Sequence, residues 1–298
     1  MILIKKAWYY FSYHITRSKL SKLNLILLSI VMRFKIIGWL FDTIDKITNS
    51  KNINNTKKYF DNNEDRIKSI IDLFSDEQSK EVYQNVILYR GSKKRNYVNT
   101  VMSKPRYQYF DSDIIPAQNG EYFLDCGACY GESSIDYQKF LKNQGCESPE
   151  VLAVEPDATN YEKMVKQLEK IDNTVYPFHC GVWSEKGQIQ FMDKLNRSSR
   201  VSEDGKVQVA VNSIDNLVKE VSFTPTYIKM DVEGSEPEAL RGAEETITRF
   251  HPKLAISIYH SDAQFLEIVE YIHEKYPDYK LYIRHYSCLF AETVLYAI

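Results

Sequence analysis

The sequence predicts an α/β protein with a doubly wound, mostly parallel sheet that ends in an antiparallel hairpin and follows a helical N-terminal extension. From about residue 120, short apolar runs alternate with longer amphipathic segments, which is typical of a parallel sheet with helices on both faces. At the end of the chain, two strand-like runs, 280–285 and 292–297, are separated by a short loop, which indicates a hairpin. With 298 residues, 44% of them hydrophobic, the chain can bury one large core and an appendage.

The N-terminal extension has two predicted parts, a basic amphipathic helical segment (1–50) and a helical connector (51–119) that precedes the α/β domain (120–298). Residues 1–41 hold seven basic residues and no acidic one, whereas the rest of the chain holds 31 basic against 40 acidic residues. Residues 1–41 could contact an anionic membrane surface peripherally, pack on the body, or join a second copy in a homodimer; the sequence leaves these alternatives open. The acidic remainder predicts no nucleic-acid partner.

The predicted elements follow in order. A helix is expected over 64–74, after a polar linker from Thr48 to Thr56, and a second helix is capped by Ser75 and ended by Gly91. The predicted strands are 122–125, 151–155, 175–179, 226–231 and 254–259, and the helices between and after them lie near 131–143, 158–171, 212–220, 236–249 and 262–275.

Composition also predicts the cellular compartment. No stretch of about 18 uncharged apolar residues is present, so we expect no spanning helix. The five cysteines are an odd number without a second close pair, and free thiols suit a reducing compartment. We therefore expect a cytoplasmic protein, held at the inner face of the membrane if residues 1–41 bind lipid.

The most informative motif is the turn after the first predicted strand. The strand ends in Asp125, and Gly127 and Gly131 bracket a tight loop that opens a helix, as in nucleotide-binding turns. The loop lacks both the Gly-Lys-Ser/Thr that grips a triphosphate and the full dinucleotide fingerprint. Asp125 would repel a pyrophosphate but suit an ammonium group, so the predicted ligand is S-adenosylmethionine.

A second acidic residue, Glu155, stands at the carboxyl end of the next predicted strand. A carboxylate at this position can accept hydrogen bonds from both hydroxyls of a ribose. The alternative interpretation is an ordinary strand–loop–helix corner in which Asp157 caps the helix.

Three further polar residues follow later strands and point to an acceptor site. Asp231 falls at the tip of the fourth predicted strand, Glu233 lies two residues beyond, and His260 follows the fifth strand. His260 or Asp231 is the predicted base that takes a proton from a hydroxyl acceptor. Glu236 and Glu238 are interpreted as partners of a helix dipole. A divalent metal held by Asp231 and Glu233 is a weaker alternative, because two carboxylates do not make a coordination sphere, and no metal ligand is assigned.

Taken together and in order, several motifs resemble the FkbM family of S-adenosylmethionine-dependent methyltransferases over roughly residues 120–298. The motifs are Leu124-Asp-Cys-Gly-Ala128, Glu155-Pro-Asp157, Ile228-Lys-Met-Asp-Val-Glu-Gly-Ser-Glu236, Ala239-Leu-Arg-Gly-Ala243 and Leu254-Ala-Ile-Ser-Ile-Tyr-His260. The resemblance implies the class I methyltransferase fold and O-methylation, often of a sugar or polyketide-type hydroxyl, in the synthesis of capsule, lipopolysaccharide or other glycans. The acceptor would be a small molecule or a glycan, and the basic N-terminal segment would suit a lipid-linked one.

The resemblance also implies roles for individual residues. The loop from Asp125 to Gly131, with Gly127 and Ala128, would hold the methionine part of the cofactor. Glu155 and Pro156 would lie at the ribose, and Cys180 to Trp183, with Gly181 and Val182, against the adenine. Asp231 would touch the cofactor and, with Glu233 and His260, line the acceptor side, and Asn196 to Arg200 would complete the pocket wall.

Two other functions remain compatible with the same fold. The chain could be a non-catalytic scaffold at a membrane surface or a glycan-binding partner, although the intact Asp125, Gly127, Gly131 and Glu155 argue against it. It could also be a nucleotide-sugar oxidoreductase, which the incomplete dinucleotide fingerprint disfavours.

Overall fold

The computed structural model describes residues 52–104, 108–192, 200–201 and 207–298. The predicted amphipathic segment 1–50, with its membrane contact through residues 1–41, lies outside the described residues, as do residues 196–199 of the predicted pocket wall. No helix in the described ranges combines the length and the apolar character that crossing a bilayer requires.

The helices are α1 (Glu64–Asp72), α2 (Glu77–Ser92), α3 (Asn96–Val101), α4 (Glu132–Asn143), α5 (Ala158–Leu168), α6 (Ile214–Glu220), α7 (Glu236–Arg241), α8 (Glu244–Phe250) and α9 (Gln264–Lys275). The strands are β1 (Tyr122–Cys126), β2 (Glu150–Val154), β3 (Val175–Phe178), β4 (Gly181–Val182), β5 (Gly187–Met192), β6 (Arg200–Val201), β7 (Val207–Asn212), β8 (Tyr227–Met230), β9 (Lys253–Ser257), β10 (Leu281–His285) and β11 (Thr293–Ala297). Residues 52–61 are also helical.

The main sheet has seven strands in the order β10-β11-β9-β8-β1-β2-β3. The strands from β9 to β3 pair in parallel, whereas β10 and β11 are neighbours joined by residues 286–292 alone. A connection this short can join only antiparallel strands. The predicted fold class, a parallel α/β sheet that ends in an antiparallel hairpin after N-terminal helices, is therefore confirmed.

A second, smaller sheet was missed by the sequence analysis. Its order is β4-β7-β5-β6, with β7 antiparallel to β5 and parallel to β4. The alternation of Val207-Gln-Val-Ala-Val211 is a strand signal that was overlooked. The helix expected near 212–220 accordingly begins later, at Ile214, because the hydroxyl of Ser213 caps it by accepting from Asn216 N.

The single helix predicted over 236–249 is wrong, because two helices, α7 and α8, take its place. A Cβ on Gly242 would stand 2.0 Å from the carbonyl oxygen of Trp183. The backbone at Gly242 thus packs directly on another loop, and only glycine permits the approach. The break is set by this tertiary contact.

The chain folds into two compact units. The first comprises the described residues up to Gln108 together with Lys280–Val294, and the second comprises Tyr109–Tyr279 with Leu295–Ile298. The segment boundaries predicted at residues 50 and 119 stay predictions.

In the first unit, the residues at the two ends of α2 differ from those predicted. The N-cap is Asp76, which accepts from Ser79 N at 2.6 Å and pairs with Arg284 at 2.8 Å; Ser75 N instead donates to Leu281 O. The helix continues through Gly91, and it ends where Lys93 adopts a positive φ of 55°.

The prediction of a polar linker over 48–56 is also wrong for residues 52–56. Residues 52–56 are helical, and Ile53, Thr56 and Phe60 are buried at helical spacing. A buried stripe three and four residues apart stabilises this helix despite its asparagine-rich sequence.

The second unit holds a core that is covered on both faces of the sheet. Almost every residue of β1, β2 and β8 is buried, as expected for parallel strands between two helical layers. Phe123 packs with Tyr137 and Tyr227, with ring centroids 4.7 and 5.3 Å away. The carboxyl ends of β2, β1, β8 and β9 therefore lie side by side at one edge, where open α/β sheets bind ligands.

Candidate active site

The glycine loop after β1 is held from two sides. Gly127 N and Ala128 N both donate to Val154 O at 3.0 Å, which ties the loop to the end of β2. On the other side, Asp231 N donates to Cys126 O at 3.1 Å. Gly127 has a φ of +74°, and a Cβ there would stand 2.0 Å from Asp231 O. The loop predicted to bind the cofactor thus touches the loop predicted to bind the acceptor.

Asp125 lies at the tip of β1 and is fully buried. One oxygen pairs with Lys229 Nζ at 3.0 Å, and the other accepts from Ser134 Oγ at 2.8 Å. Lys229 Nζ also donates to Gly127 O at 2.8 Å. Burial lowers the pKa of Lys229, but the carboxylates of Asp125 and Asp231 raise it more, so the net shift is upward. Asp125 is therefore part of a buried ion pair that holds the loop, and its contact with a ligand's ammonium stays a prediction.

Glu155 follows β2 and is only 5% exposed. Its Oε2 accepts from Cys129 N at 2.8 Å and its Oε1 from Asp157 N at 2.9 Å. Burial raises the pKa of Glu155 more than these hydrogen bonds lower it, to about 7. Asp157 caps α5 by accepting from Asn160 N at 2.8 Å, as the alternative interpretation of this corner expected. The corner therefore holds both features, a helix cap and a buried acid beside the glycine loop.

The residues predicted to lie at the ribose and adenine meet in the second unit. A Cβ on Gly181 would stand 3.8 Å from Pro156 Cβ, so strand β4, which takes the place of the loop predicted after β3, approaches the residue that follows Glu155. Val182 pairs with Asn212 of β7, which makes β4 an edge strand of the small sheet.

Asp231 follows β8, and its carboxylate accepts hydrogen bonds from two tyrosine hydroxyls. Tyr109 donates to its Oδ2 at 3.0 Å and Tyr259 to its Oδ1 at 3.1 Å, while its side chain remains 24% exposed. Burial raises the pKa of Asp231, but the charges of Lys229 and His260 and the tyrosine hydrogen bonds lower it further, for a net downward shift. The carboxylate is thus ionised and held in one orientation.

His260 lies among three carboxylates and is 10% exposed. Its Nε2 is 3.6 Å from Asp231 Oδ1 and 3.8 Å from Glu233 Oε2, and its Nδ1 is 3.1 Å from Glu236 Oε1. Burial lowers the pKa of the imidazole, but Glu236, Asp231 and Glu233 raise it more, to about 9. In the protein without a bound ligand, the His260 imidazole therefore carries an added proton at neutral pH.

Glu236 differs most from its sequence interpretation as a partner of the helix dipole. It is fully buried, and its Oε1 accepts from Val232 N at 2.9 Å. The turn between Asp231 and Glu236 needs Glu233 and Gly234 at positive φ, 55° and 99°, and Gln264 Nε2 donates to Gly234 O at 2.6 Å. This geometry aims Glu236 back at His260 instead of along the helix.

Four residues of the site carried no assigned role in the sequence analysis: Ser134, Lys229, Tyr259 and Tyr109. Lys229 and Tyr259 lie inside the quoted motifs. Lys229 could have been found as a charged residue in an otherwise apolar strand, and Tyr259 as an aromatic residue next to His260. Tyr109 lies in the predicted connector, 122 positions before Asp231. Only the folded chain shows that this tyrosine reaches the site.

This sheet order, with a glycine loop after β1 and acidic residues after β2 and β8, defines the class I methyltransferase fold. The model of the methyltransferase FkbM domain matches residues 125–280. The chain therefore belongs to the FkbM methyltransferase family.

Two relatives show what the chain is similar to. Over 96 residues it is 31% identical to the hexuronic acid methyltransferase AglP of Haloferax volcanii. The aligned region covers 31% of this chain and 40% of that protein. The crystal structure of methyltransferase FkbM from Methylobacillus flagellatus KT superposes with a TM-score of 0.69 at 27% identity, covering 81% of this chain and 60% of that one. The chain thus spans less than two thirds of the length of each.

Proposed function

We propose that the protein transfers a methyl group from S-adenosylmethionine to a hydroxyl of a sugar during glycan synthesis. Membership of the FkbM family supports the reaction class, and the similarity to a hexuronic acid methyltransferase supports a sugar acceptor. The observation that carries the proposal is the contact between Gly127 and Asp231, because it brings the cofactor loop and the acceptor side together.

The residues present fit this cofactor. Glu155 is a buried carboxylate beside the glycine loop. Its Oε2 accepts one hydrogen bond and keeps a lone pair for a ribose hydroxyl, while its Oε1 accepts from Asp157 N and, at 3.5 Å, from Asn160 Nδ2. Gly127 leaves no room for a Cβ because its backbone lies directly against the backbone oxygen of Asp231. Ala128 and Gly131 would complete the loop around the methionine part, and Pro156, Gly181 and Val182 would border the nucleoside. When bound, the cofactor supplies a methyl group on a positively charged sulfur.

The chain's own residues then position the acceptor and take its proton. Asp231 accepts the hydroxyl proton as the bond from the acceptor oxygen to the methyl carbon forms and the carbon–sulfur bond breaks. Of the two predicted bases it is the more exposed, and the tyrosines fix its orientation. Holding the reactants in line accounts for about 7–11 kcal/mol of the barrier, and the base for about 10²–10⁴-fold in rate.

The first test replaces Asp231 with asparagine in the full chain. We expect turnover to fall by about 10²–10⁴-fold, because the proton acceptor is lost. Affinity for S-adenosylmethionine, measured by calorimetry, should change by less than about tenfold, or 1.4 kcal/mol, because asparagine keeps the size and one oxygen of a side chain that lies beside the cofactor loop. Transfer of a radiolabelled methyl group to oligosaccharides with and without uronic acid would report both activity and acceptor class.

Asp278→Asn is the matched control, because it makes the same change at an exposed residue. A folded Asp231→Asn protein with full turnover would remove Asp231 as the acceptor of the proton. A wild-type protein that binds no S-adenosylmethionine would overturn the proposed function and favour a non-catalytic scaffold.

A second test uses the pH dependence of cofactor binding. Because the pKa of Glu155 is about 7 in the free protein, its carboxyl is protonated below that pH and loses acceptor capacity for the ribose hydroxyls. We expect the affinity for S-adenosylmethionine to fall as the pH drops through about 7, approaching tenfold per pH unit below it. Glu155→Gln should bind more weakly and lose this dependence, and an identical pH profile in that variant would contradict the role.

Protein stability should change with pH in the opposite direction. The folded pKa of Glu155 lies above its usual value, so the folded protein favours the protonated acid. This contribution is complete below the unfolded pKa of about 4.3 and is lost as the pH rises through about 7. Comparing urea unfolding of wild type and Glu155→Gln at pH 5 and pH 8 would measure it.

The basic residues 1–41 support a further proposal, that the acceptor is linked to a lipid and the enzyme works at the inner face of a membrane. Flotation with vesicles that contain anionic lipid, for the full chain and for a chain without residues 1–50, would test the contact. Equal flotation of both would argue against it. The predicted homodimer stays a prediction.

A further inference from the structure

We propose that Asp231, Glu233 and Nε2 of His260 bind a divalent cation, and that Glu236 holds the imidazole in place from its other side. The inference rests on the proposed function for its purpose, because the cation would stand beside the acceptor hydroxyl. The binding itself can be tested without any turnover.

The distances around His260 Nε2 carry the first step. Asp231 Oδ1 at 3.6 Å and Glu233 Oε2 at 3.8 Å are too far away for hydrogen bonds. Two ligand atoms bound to one cation by bonds of about 2.0–2.2 Å stand at most about 4.4 Å apart, so both separations suit a shared cation. Each of the two carboxylate oxygens therefore stands at a distance from Nε2 that one small cation can bridge.

The second step is the state of the imidazole. His260 is nine-tenths buried, and neither ring nitrogen has a hydrogen-bond partner of good geometry among the described residues. Its Nδ1 instead lies 3.1 Å from the fully buried Glu236. Histidines that bind metals commonly direct one ring nitrogen at a carboxylate and offer the other to the ion. His260 has this arrangement, with Nε2 on the side of Asp231 and Glu233.

The third step is charge. Three carboxylates face one imidazole, and Lys229, whose charge acts on Asp231, is already paired with Asp125. Ligand atoms of Asp231, Glu236 and His260 lie within 4.8 Å of one another, and no second group of this kind occurs among the described residues. A dication balances this concentration of negative charge better than a single proton on the ring.

The surrounding contacts keep the donor atoms in place before any ion arrives. The tyrosine hydroxyls orient Asp231, and Val232 N orients Glu236. Such outer contacts set the affinity of a metal site. One imidazole with carboxylates suits Mn²⁺ or Mg²⁺, because a thiolate-free, oxygen-rich set is the one these ions prefer. A cation here would lower the pKa of a bound hydroxyl and stabilise the oxygen that receives the methyl group.

The experiment titrates Mn²⁺ into the metal-stripped full chain without cofactor or acceptor. Bound Mn²⁺ loses the paramagnetic resonance signal of the free ion, so the signal counts bound ions. We expect one ion per chain. Asp231→Asn and His260→Gln should each weaken binding by at least tenfold, and Glu236→Gln by about 10–100-fold because it acts through His260. Glu238→Gln is the matched control on the same helix, where the carboxylate pairs with Arg241, and it should bind as wild type does.

Wild type that binds no Mn²⁺ at millimolar concentration, or Asp231→Asn that binds as tightly as wild type, would overturn the inference. Circular dichroism melting confirms that each variant is folded, and the partly exposed Asp231 decides the question if the buried Glu236→Gln protein does not fold. Mn²⁺ binding without S-adenosylmethionine binding would overturn the proposed function and leave the cation site. Methyl transfer that survives chelation, in a protein that binds no Mn²⁺, would overturn the cation site alone.

Discussion

Lys229→Met should lower the free energy of unfolding by about 3–5 kcal/mol, because it leaves the fully buried Asp125 carboxylate without its partner. It also removes the donor that holds the carbonyl of Gly127 at 2.8 Å. We therefore expect the affinity for S-adenosylmethionine to fall in the same variant. Urea denaturation measures the first effect and calorimetry the second.

Two further variants make the test specific. Lys219→Met removes a lysine from an exposed ion pair with Glu245 and should cost less than about 1 kcal/mol. Adding Asp125→Asn to Lys229→Met should recover part of the loss, since the amide carries no unpaired charge. If Lys229→Met unfolds at the same urea concentration as Lys219→Met, the buried pair does not have the importance assigned to it.

Gly127→Ala should destabilise the protein by about 2–5 kcal/mol and abolish measurable cofactor binding. The positive φ of +74° disfavours any side chain by about 1–2 kcal/mol, and the added Cβ would stand 2.0 Å from the backbone oxygen of Asp231. Backbone atoms cannot move aside as a flexible side chain can, so the loop must shift, at a further cost of about 1–3 kcal/mol. The shift would separate the loop from Val154 O and from Glu155.

Gly145→Ala is the matched control for this prediction. Gly145 has a similar φ of +76°, but a Cβ there meets nothing within 4 Å. The Gly145→Ala variant should lose only the stability that the positive φ costs a side chain, and its cofactor binding should be unchanged. Equal stability and equal cofactor affinity in the two variants would mean that the contact between Gly127 and Asp231 is not what holds the site together.

Much of the fold was predictable because its signals are local. Buried parallel strands appear as short apolar runs, and β1, β2, β8 and β9 were found within one or two residues of their observed ends. The prediction failed where packing overrides local preference. The break between α7 and α8 comes from the contact of Gly242 with Trp183, and the cap of α2 from the pairing of Asp76 with Arg284.

Arg284 and His285 illustrate the same limit. Their place in the sequence beside the hairpin turn would suit residues that contact a substrate. Within the first unit, however, Arg284 pairs with Asp76, and the buried His285 forms a hydrogen bond with Thr293 at 2.8 Å. Burial lowers the pKa of His285 to about 4, so its ring is neutral. A polar residue near a strand end does not reveal from sequence whether it faces a ligand or a protein partner.

The amino-acid sequence by itself determined the fold class, the glycine loop and the positions of Asp125, Glu155, Asp231 and His260 at strand ends. These follow from hydrophobic periodicity and from the rule that parallel strands end at one edge. The tertiary structure alone decided the partners of those residues: Lys229 for Asp125, Glu236 for His260, and Tyr109 for Asp231. Partners that stand 24 to 122 positions apart leave no periodic trace in the sequence, because their contact depends on how the elements pack rather than on the residues between them.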